Sequence, residues 1–498
     1  MNVNPITRLD YPDPDVIRVE DTYYMVSTTM HFMPGCEILQ SFDLVHWEHV
    51  TYVYEMLDHT DAQQLKSGQN IYGQGMWAAS LRYHEGRFYI CFVANDTRKT
   101  YLYTSEKIDG PWKKQLIEGF YHDGSLLFDE DGRNYIVYGN DEIWITELNE
   151  DLTAPKKDGL HRLLVSDHKN PELGYEGSHI QKINGYYYIF LVHSLRDRWM
   201  RTEACFYSDS LEGEFTGGDV LCDDRGYCGQ GVAQGGIVDT PDGKWYAMLF
   251  QDSGAVGRIS ILLPVIWKDH FPFFGQNGHV PEEIEVHSTR PGYIYQPLVG
   301  SDDFCNGLLP RWQFNHDPDP RYYHLDALQG TYTITTREVC TELTQAVNTL
   351  TQRMSYPSCA AEVTVDASAL KEGDVAGLCA LQSCYAAVGI TKHHGKYEVL
   401  MLDKKEDGIL DMTEGTVVES HQMDFRLEAD FCNMKDEARC YYRVNKGDWL
   451  PIGTVHKLYF KLDHFTGCRF GLFCYAAEET GGSACFRDFK YYDVDEIS

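Results

Sequence analysis

One local pattern, a tight turn followed by an aromatic-rich strand, occurs five times in the first three-fifths of the chain. Each turn begins with Asp, Glu or Asn, and in four of the five copies Gly comes next. Such pairs favour the left-handed backbone of hairpin turns. A tyrosine follows each turn after two intervening residues, and these tyrosines are 65, 46, 53 and 58 residues apart: Tyr24, Tyr89, Tyr135, Tyr188 and Tyr246. These intervals lie near the ~50-residue period of propeller blades.

A second turn, which leads into an outer strand, follows in four of these units. Examples are "SFDLVHW" from Ser41 and "SDSLEGEF" from Ser208. Helical periodicity is scarce, and groups of four strands that occur five times are typical of a five-bladed β-propeller. A pair of β-sandwiches would also explain many strands, but it would not explain the repeated spacing. We therefore predict a five-bladed propeller over residues 1–297.

The sequence changes character near Ser301, where the repeat stops. Seven or more short alternating segments follow, among them "CAAEVTVDA", "YAAVGITK" and "KLYFKLD". This pattern predicts a jelly-roll-like β-sandwich over residues 298–498, so the whole chain is predicted to be all-β. The second domain is either a carbohydrate-binding module or a structural partner packed on the propeller, and we favour the structural role.

The composition excludes several classes of partner. The chain has 43 Lys and Arg against 75 Asp and Glu, which gives a net charge of -32. This charge argues against nucleic acid and anionic membranes as partners, and no run of ~18 apolar residues predicts a membrane span. The first residues lack the features of a signal peptide. Fifteen cysteines without a C-x-x-C pair predict reduced thiols, a cytoplasmic location and no structural zinc. The composition leaves the oligomeric state open.

The repeat also aligns five positions that precede the innermost strand of each blade. They lie 11 residues before the tyrosine in the first unit and 12 residues before it in the others, and we call them the axial positions: Asp13, Trp77, Asp123, Glu176 and Gln234. Innermost strands surround the central channel of a propeller. We therefore expect all five side chains to meet at one mouth of the channel.

Three of the five axial residues are acidic, which suggests acid–base chemistry. Carboxylates in one funnel repel each other, and partial burial makes their ionisation costly. Their pKa values should separate and leave one protonated acid and one ionised base. This arrangement is that of glycoside hydrolysis. The alternative is that the acids only cap strand ends or bind turn amides. Trp77 would add a flat apolar face, on which sugars stack.

These segments resemble glycoside hydrolase family 43, the β-xylosidases and α-L-arabinofuranosidases. The resemblance rests on "NPITRLDYPDPDVIRVEDTYYMVSTT" at residues 4–29, "HDGSLLFDEDGR" and "YEGSHI" in combination. It implies that Asp13 is the general base and that Glu176 is the general acid. It also implies that Asp123 is a third carboxylate, which orients the acid and tunes its pKa.

The same resemblance implies residues that bind the sugar. Arg258 in "AVGRI" matches a positively charged residue near the sugar and Asp123, where it would keep that carboxyl ionised. Phe32 and Met33 in "MHFMPG" match positions that line the pocket of the terminal sugar, as does Trp77.

The chain departs from the family at Gln234. Many members have a His there, which helps to hold a calcium ion on the propeller axis. A glutamine oxygen can still bind a hard cation, so calcium is possible but no cofactor is predicted to be required. We assign no residue to a metal site.

We therefore predict an inverting exo-glycosidase that acts on small oligosaccharides derived from xylan. It would remove terminal β-D-xylosyl or α-L-arabinofuranosyl residues, and inversion requires the acid and the base to lie ~6.5–9.5 Å apart. The alternatives are an arabinofuranosidase only, a non-catalytic propeller that binds glycan or protein, and a retaining furanosidase of the fructan type. Retention would require carboxyls that are only ~5–5.5 Å apart.

Overall fold

The structure is a computed structural model, and it describes residues 2–413 and 415–493. Over this range it contains strands and four short 3-10 turns, and no α-helix: the turns are Lys66–Gly68, Gly254–Val256, Leu343–Gln345 and Cys432–Met434. The all-β prediction is confirmed. No helix within the described ranges has the length and apolarity needed to cross a bilayer.

The first part of the chain forms five antiparallel sheets of four strands each, which confirms the five-bladed propeller. In chain order the strands of the blades are Asp15–Val19, Thr22–Ser27, Gly35–Ser41 and Glu48–Tyr54; Met76–His84, Arg87–Ala94, Lys99–Ser105 and Lys113–Ile117; Ser125–Phe128, Asn134–Asn140, Glu142–Leu148 and His161–Ser166; Glu176–Ile183, Tyr186–Ser194, Arg201–Ser208 and Thr216–Leu221; and Val232–Asp239, Trp245–Asp252, Arg258–Lys268 and Phe271–Phe274. The predicted turn-and-tyrosine units are the hairpins between the first two strands of each blade.

The innermost strands of the blades pack side by side in a closed ring. Each contacts the innermost strand of the next blade, and that of the fifth contacts that of the first. The fifth blade takes all four strands from residues 232–274. A separate two-stranded clasp, Asn2–Val3 paired with Glu283–Ile284, holds the N-terminal segment to the segment that follows the last blade. The repeat therefore brings the five axial positions to one end of the ring.

A buried network of charged side chains fills the middle of this ring. Arg82 donates to Asp15 at 2.8 Å, to Ser125 at 2.7 Å and to the carbonyl of Ile180 at 3.2 Å. Asp15 also lies 3.1 Å from the ring of His179. Burial alone would raise the pKa of Asp15, but Arg82 and His179 hold that pKa below its usual value. Because these residues belong to four innermost strands, the network joins the blades at the axis.

The second domain is a two-layer sandwich, as predicted. One layer has the order Leu410–Met412, Lys396–Lys404, Ala386–His393, Asp374–Leu381, Arg469–Ala476, Leu350–Arg353, Gln313–Asn315 and Phe32–Met33, with Thr416–Val418 paired to Lys396–Lys404. The other has the order Tyr323–Asp326, Thr331–Thr335, Ser483–Asp493, Ser358–Asp366, Gln422–Asp430, Glu437–Val444 and Leu450–Lys457. A large apolar core lies between the layers.

The short strand Phe32–Met33 belongs to a sheet of the sandwich, which the sequence did not predict. Its two residues pair with Phe314 and Asn315. The ring of Phe32 packs in an apolar cluster of the sandwich, under the guanidinium of Arg469 at 3.5 Å. Met33 is buried in the core between the first two blades. Both side chains are almost fully buried, and their place in the sugar pocket stays a prediction.

All fifteen cysteines are free thiols. Nine of them are buried, and four are exposed: Cys222, Cys228, Cys305 and Cys432. This agrees with the expectation of reduced, mostly buried thiols.

Candidate active site

Asp13 lies at the mouth of the ring, just before the innermost strand of the first blade. It is 7 % exposed and accepts a hydrogen bond from the hydroxyl of Thr28 at 2.6 Å. The guanidinium of Arg258, from the fifth blade, lies 3.2 Å from Asp13 Oδ1. Arg258 was predicted beside Asp123, so this pairing corrects that prediction. The cation lies directly beside the residue that is predicted to be the general base.

Asp123 and Glu176 lie close together on the other side of the mouth. Glu176 begins the innermost strand of the fourth blade, and the amide of Gly177 donates to Asp123 Oδ2 at 3.0 Å. Gly177 has φ +65°, and a Cβ atom there would lie 2.7 Å from the side chain of Gln234. A residue larger than glycine at position 177 would therefore push the axial residues Glu176 and Gln234 apart. Asn140 donates to Glu176 Oε2 at 2.7 Å and fixes that carboxyl from the third blade.

His122 is a site residue that the sequence analysis did not identify. Its Nε2 atom lies 3.6 Å from Asp123 Oδ2 and 3.5 Å from Glu176 Oε2. Asp123 first, and then Glu176, raises the pKa of His122 to about 9. The ring is therefore an imidazolium at neutral pH and places a positive charge beside both carboxyls.

Burial raises the pKa of Asp123 to about 6, and the charges of Glu176 and Asp13 act in the same direction. The cation of His122 opposes this rise. The expected repulsion among the three carboxyls therefore acts on Asp123, the residue predicted to tune the acid. The counter-charge of Asp123 is supplied by His122, whereas the sequence analysis expected it from Arg258.

The wall of the pocket is aromatic and comes from both domains. Trp77, the axial residue of the second blade, lies 6.1 Å from the ring of His122. Phe465, from a loop of the sandwich, lies 5.5 Å from the ring of Trp77 and 4.2 Å from the guanidinium of Arg258. The carbonyl of Phe465 also accepts from Arg258 Nη2 at 3.2 Å. The sandwich thus completes the site, which agrees with the favoured structural role.

A second arginine approaches the carboxyls from the fourth blade. Arg201 is buried and donates to Asp252 Oδ2 at 2.9 Å. Although burial would lower the pKa of Arg201, Asp252 raises it, and the charges of Glu176 and Asp13 contribute. Arg201 therefore carries a positive charge near both candidate catalytic carboxyls.

Gln234 occupies its predicted axial position, but its surroundings do not suit calcium. Its backbone amide donates to the carboxyl of Glu203 at 2.7 Å, and burial raises the pKa of that carboxyl well above its usual value. Deeper in the channel, the carbonyls of Leu126 and Ile180 accept from the guanidinium of Arg82. Calcium needs six to eight oxygen ligands. Because the guanidinium of Arg82, itself a cation, already binds the axial carbonyls, these residues do not fit the ion.

The structure thus brings together five of the eight predicted site residues around the three carboxyls: Asp13, Asp123, Glu176, Trp77 and Arg258. Gln234 lies beneath Gly177, and Phe32 and Met33 are almost fully buried in apolar clusters. Sequence reasoning missed His122 and Asn140 on the third blade. A titratable residue directly before an axial position was a signal for His122. Asn140 could be predicted only by knowing which strand end lies beside Glu176. Nothing in the sequence marked Phe465, a loop residue, as part of the site.

Comparison with known families supports this reading of the two domains. The model of "Glycosyl hydrolases family 43" matches residues 3–272. The model of the "Beta xylosidase C-terminal Concanavalin A-like domain" matches residues 301–492.

Two individual proteins are also similar to most or nearly all of this chain. A beta-xylosidase of Formosa agariphila is 26% identical, over 99% of this chain and 89% of its own length. A non-reducing end alpha-L-arabinofuranosidase of Bacteroides ovatus is 24% identical, over 82% of this chain and 79% of its own length.

Among solved structures, a bifunctional GH43-CE protein of Bacteroides eggerthii superposes with a TM-score of 0.93 at 41% identity. It covers 100% of this chain, and this chain spans only 64% of its length. An engineered GH43 glycoside hydrolase with endo-xylanase and exo-arabinofuranosidase activity has a TM-score of 0.88 at 27% identity, with 99% of both chains covered.

Proposed function

The chain belongs to glycosyl hydrolase family 43 and is a glycoside hydrolase, and on that premise we propose that it removes terminal pentosyl residues from short xylan-derived oligosaccharides. The proposed substrates carry β-D-xylosyl or α-L-arabinofuranosyl groups at their non-reducing ends. The proposal draws on the relatives named beta-xylosidase and alpha-L-arabinofuranosidase.

In the proposed mechanism, Asp13 removes a proton from the water that attacks the anomeric carbon. Glu176 donates a proton to the departing glycosidic oxygen, and the configuration inverts. Arg258 pairs directly with Asp13 and holds that carboxyl in place. Asp123 accepts from Gly177, the residue next to Glu176, and thereby orients the acid. His122 balances the charge of Asp123 and Glu176 while the proton moves.

The observation that carries the proposal is the meeting of three carboxyls from three blades at one aromatic-walled mouth. Asp13 has its own cation, and the ligand atoms of His122, Asp123 and Glu176 lie within 4.8 Å of one another. Base and acid thus stand in two separate environments, as glycoside hydrolysis needs.

Two measurements test this function. Hydrolysis of aryl β-xyloside should release the α-anomer of xylose first, as followed by proton NMR, and release of the β-anomer would contradict inversion. Asp13→Asn and Glu176→Gln should each lower kcat by about 10²- to 10⁴-fold. A leaving group of low pKa should partly rescue Glu176→Gln and not Asp13→Asn. Equal losses on all leaving groups would contradict the assigned roles.

An arabinofuranosidase that does not cleave xylosides is the second candidate, and the Bacteroides ovatus relative supports it. Aryl α-L-arabinofuranoside and aryl β-xyloside, assayed side by side, separate the two candidates. We propose that the xyloside is cleaved as well, and a product profile on arabinosylated xylo-oligosaccharides reports sugar preference and exo action together.

We also propose that the enzyme acts in the cytoplasm without a required metal cofactor. Fifteen free thiols suit a reducing compartment. Short imported oligosaccharides would be the substrates available there. Cell fractionation tests the location, and recovery of the activity in an extracellular fraction would contradict it.

A further inference from the structure

Trp199 is the exposed tryptophan of the part of the chain that the structure describes. Its side chain is 43 % exposed, whereas the other tryptophans within residues 2–413 and 415–493 are buried or half-buried. A single exposed apolar residue needs no explanation by itself. The position of Trp199 next to the catalytic mouth is what calls for one.

The loop that carries Trp199 stands directly above Glu176. The first two strands of the fourth blade pair Glu176 with Val192, and the second strand ends two residues later at Ser194. Ser194 pairs with Arg201, so residues 195–200 form the connection at this end of the blade. The loop begins three residues beyond Val192, the partner of Glu176, which is roughly 10 Å along the strand at about 3.3 Å per residue.

The loop is held in one conformation by its own hydrogen bonds. The amide of Met200 donates to the hydroxyl of Ser194 at 2.8 Å, and the amide of Leu195 donates to the carbonyl of Met200 at 3.1 Å. Arg201, fixed by Asp252 at 2.9 Å, places its guanidinium 5.2 Å from the centre of the Trp199 ring. This is cation–π range. The indole is thus pre-positioned while much of its surface stays in contact with solvent.

The loop of the sandwich that carries Phe465 contacts other parts of the mouth. The loop with Phe465 contacts Trp77 and Arg258, and neighbouring residues of that loop pack on Tyr72 and beside Asp10. These partners belong to the second and fifth blades and to the segment before the first. None of these partners belongs to the fourth blade, where Trp199 lies.

We propose that Trp199, backed by Arg201, binds the sugar ring on the leaving-group side of the scissile bond. This inference rests on the proposed function, because Glu176 protonates the oxygen that belongs to that departing sugar. A flat indole face stacks on the apolar face of a pyranose, and Arg201 fixes the indole beneath it. The ligand is a neutral xylosyl unit, not a charged group.

The test compares a substrate that has a leaving sugar with one that has none. For Trp199→Ala, the ratio of kcat/KM on β-D-xylosyl fluoride to kcat/KM on xylobiose should rise about tenfold, since stacking of ~1.4 kcal/mol corresponds to a factor of ten. Trp199→Phe should restore most of the loss. Trp449→Ala is the matched control, because that half-buried indole also stacks on an arginine, Arg443 at 4.2 Å, but lies in the sandwich. Its ratio should not change.

Two outcomes would overturn the inference. One is an unchanged ratio in Trp199→Ala, and the other is an equal loss on both substrates, which would indicate a structural role only. Calorimetric titration of Glu176→Gln with xylotriose, with and without Trp199→Ala, supplies a binding readout that needs no turnover. If the wild-type enzyme cleaves none of the pentosides, the proposed function fails. The titration would still report whether Trp199 holds a sugar.

Discussion

The guanidinium of Arg258 lies 3.2 Å from the carboxylate of Asp13, and both groups are almost fully buried. The two residues come from opposite ends of the propeller sequence, 245 positions apart. They meet because the fifth blade closes the ring against the first. This ion pair therefore depends on ring closure, and a change in the contact of Arg258 with either domain should alter the position of its guanidinium beside Asp13.

Replacement of Arg258 should lower both activity and stability. Breaking a buried ion pair by removal of one partner costs about 3–5 kcal/mol, because the remaining charge stays unpaired. We expect Arg258→Gln to lower kcat/KM by about 100-fold or more and to lower the free energy of unfolding, as measured by urea denaturation. Arg258→Lys keeps the charge and should lose less.

A double-mutant cycle supplies the control for this pair. Because Asp13 and Arg258 act together, Asp13→Asn combined with Arg258→Gln should destabilise the fold by less than the sum of the single variants. Strict additivity would mean that Arg258 acts elsewhere, for example through its bond to the carbonyl of Phe465.

Phe465 should control substrate binding although it belongs to the second domain. Its ring forms part of the pocket wall beside Trp77 and Arg258. A fully buried side chain of this size contributes about 1.5–3 kcal/mol, and Phe465 is only partly buried, so its truncation should cost less than that. We expect Phe465→Ala to raise KM for xylobiose about tenfold. Phe273→Ala, an exposed ring on the outer strand of the fifth blade, is the control. An unaffected KM in Phe465→Ala would show that the sandwich does not contribute to the pocket.

The propeller and its three axial carboxyls were predictable because both follow from a repeat that is local in sequence. A hairpin with a fixed turn-to-tyrosine interval fixes which residue precedes each innermost strand, so Asp13, Asp123 and Glu176 had to meet. The partner of Arg258 was not predictable in this way. Its strand begins at residue 258 itself, and only the closed ring determines which carboxyl it faces.

The residues at the domain junction escaped prediction for a different reason. Phe32 lies in a two-residue strand whose partners are Phe314 and Asn315 of the other domain. Nothing in the spacing of "MHFMPG" distinguishes an exposed pocket wall from an added edge strand. Phe465 reaches the pocket through a loop of the sandwich that has no counterpart in the repeat.

Removal of divalent metals should leave the activity intact. Arg82 supplies the positive charge at the axis, where it binds Asp15 and the carbonyls of Leu126 and Ile180. We expect kcat/KM after dialysis against EDTA to stay within about twofold of the untreated value, since the axial carbonyls that could bind a cation already accept from Arg82. A loss that calcium restores, and magnesium does not, would contradict this prediction.

Acid should destabilise the junction between the domains, because three buried histidines are neutral there. His31, His316 and His464 pack with Tyr72, whose ring stacks on His464 at 3.8 Å. Burial lowers the pKa of His31 and His316 well below the usual value and that of His464 to about 3.

The sign of the effect follows from proton uptake on unfolding. An unfolded histidine has a pKa near ~6.5. Between that value and the lower folded pKa, the unfolded chain binds protons that the folded protein does not bind. The stability that the neutral, buried histidines contribute is therefore fully present above about pH 6.5 and is lost as the pH falls towards about 3. Each histidine adds up to about 1.4 kcal/mol per pH unit to this loss.

We expect the free energy of unfolding, measured in urea, to fall more steeply between about pH 6.5 and about pH 5 in wild type than in His464→Phe, which keeps the stack on Tyr72. His287→Gln, at an exposed histidine, should keep the wild-type slope. Equal slopes in wild type and His464→Phe would mean that His464 takes up its proton without opening the junction.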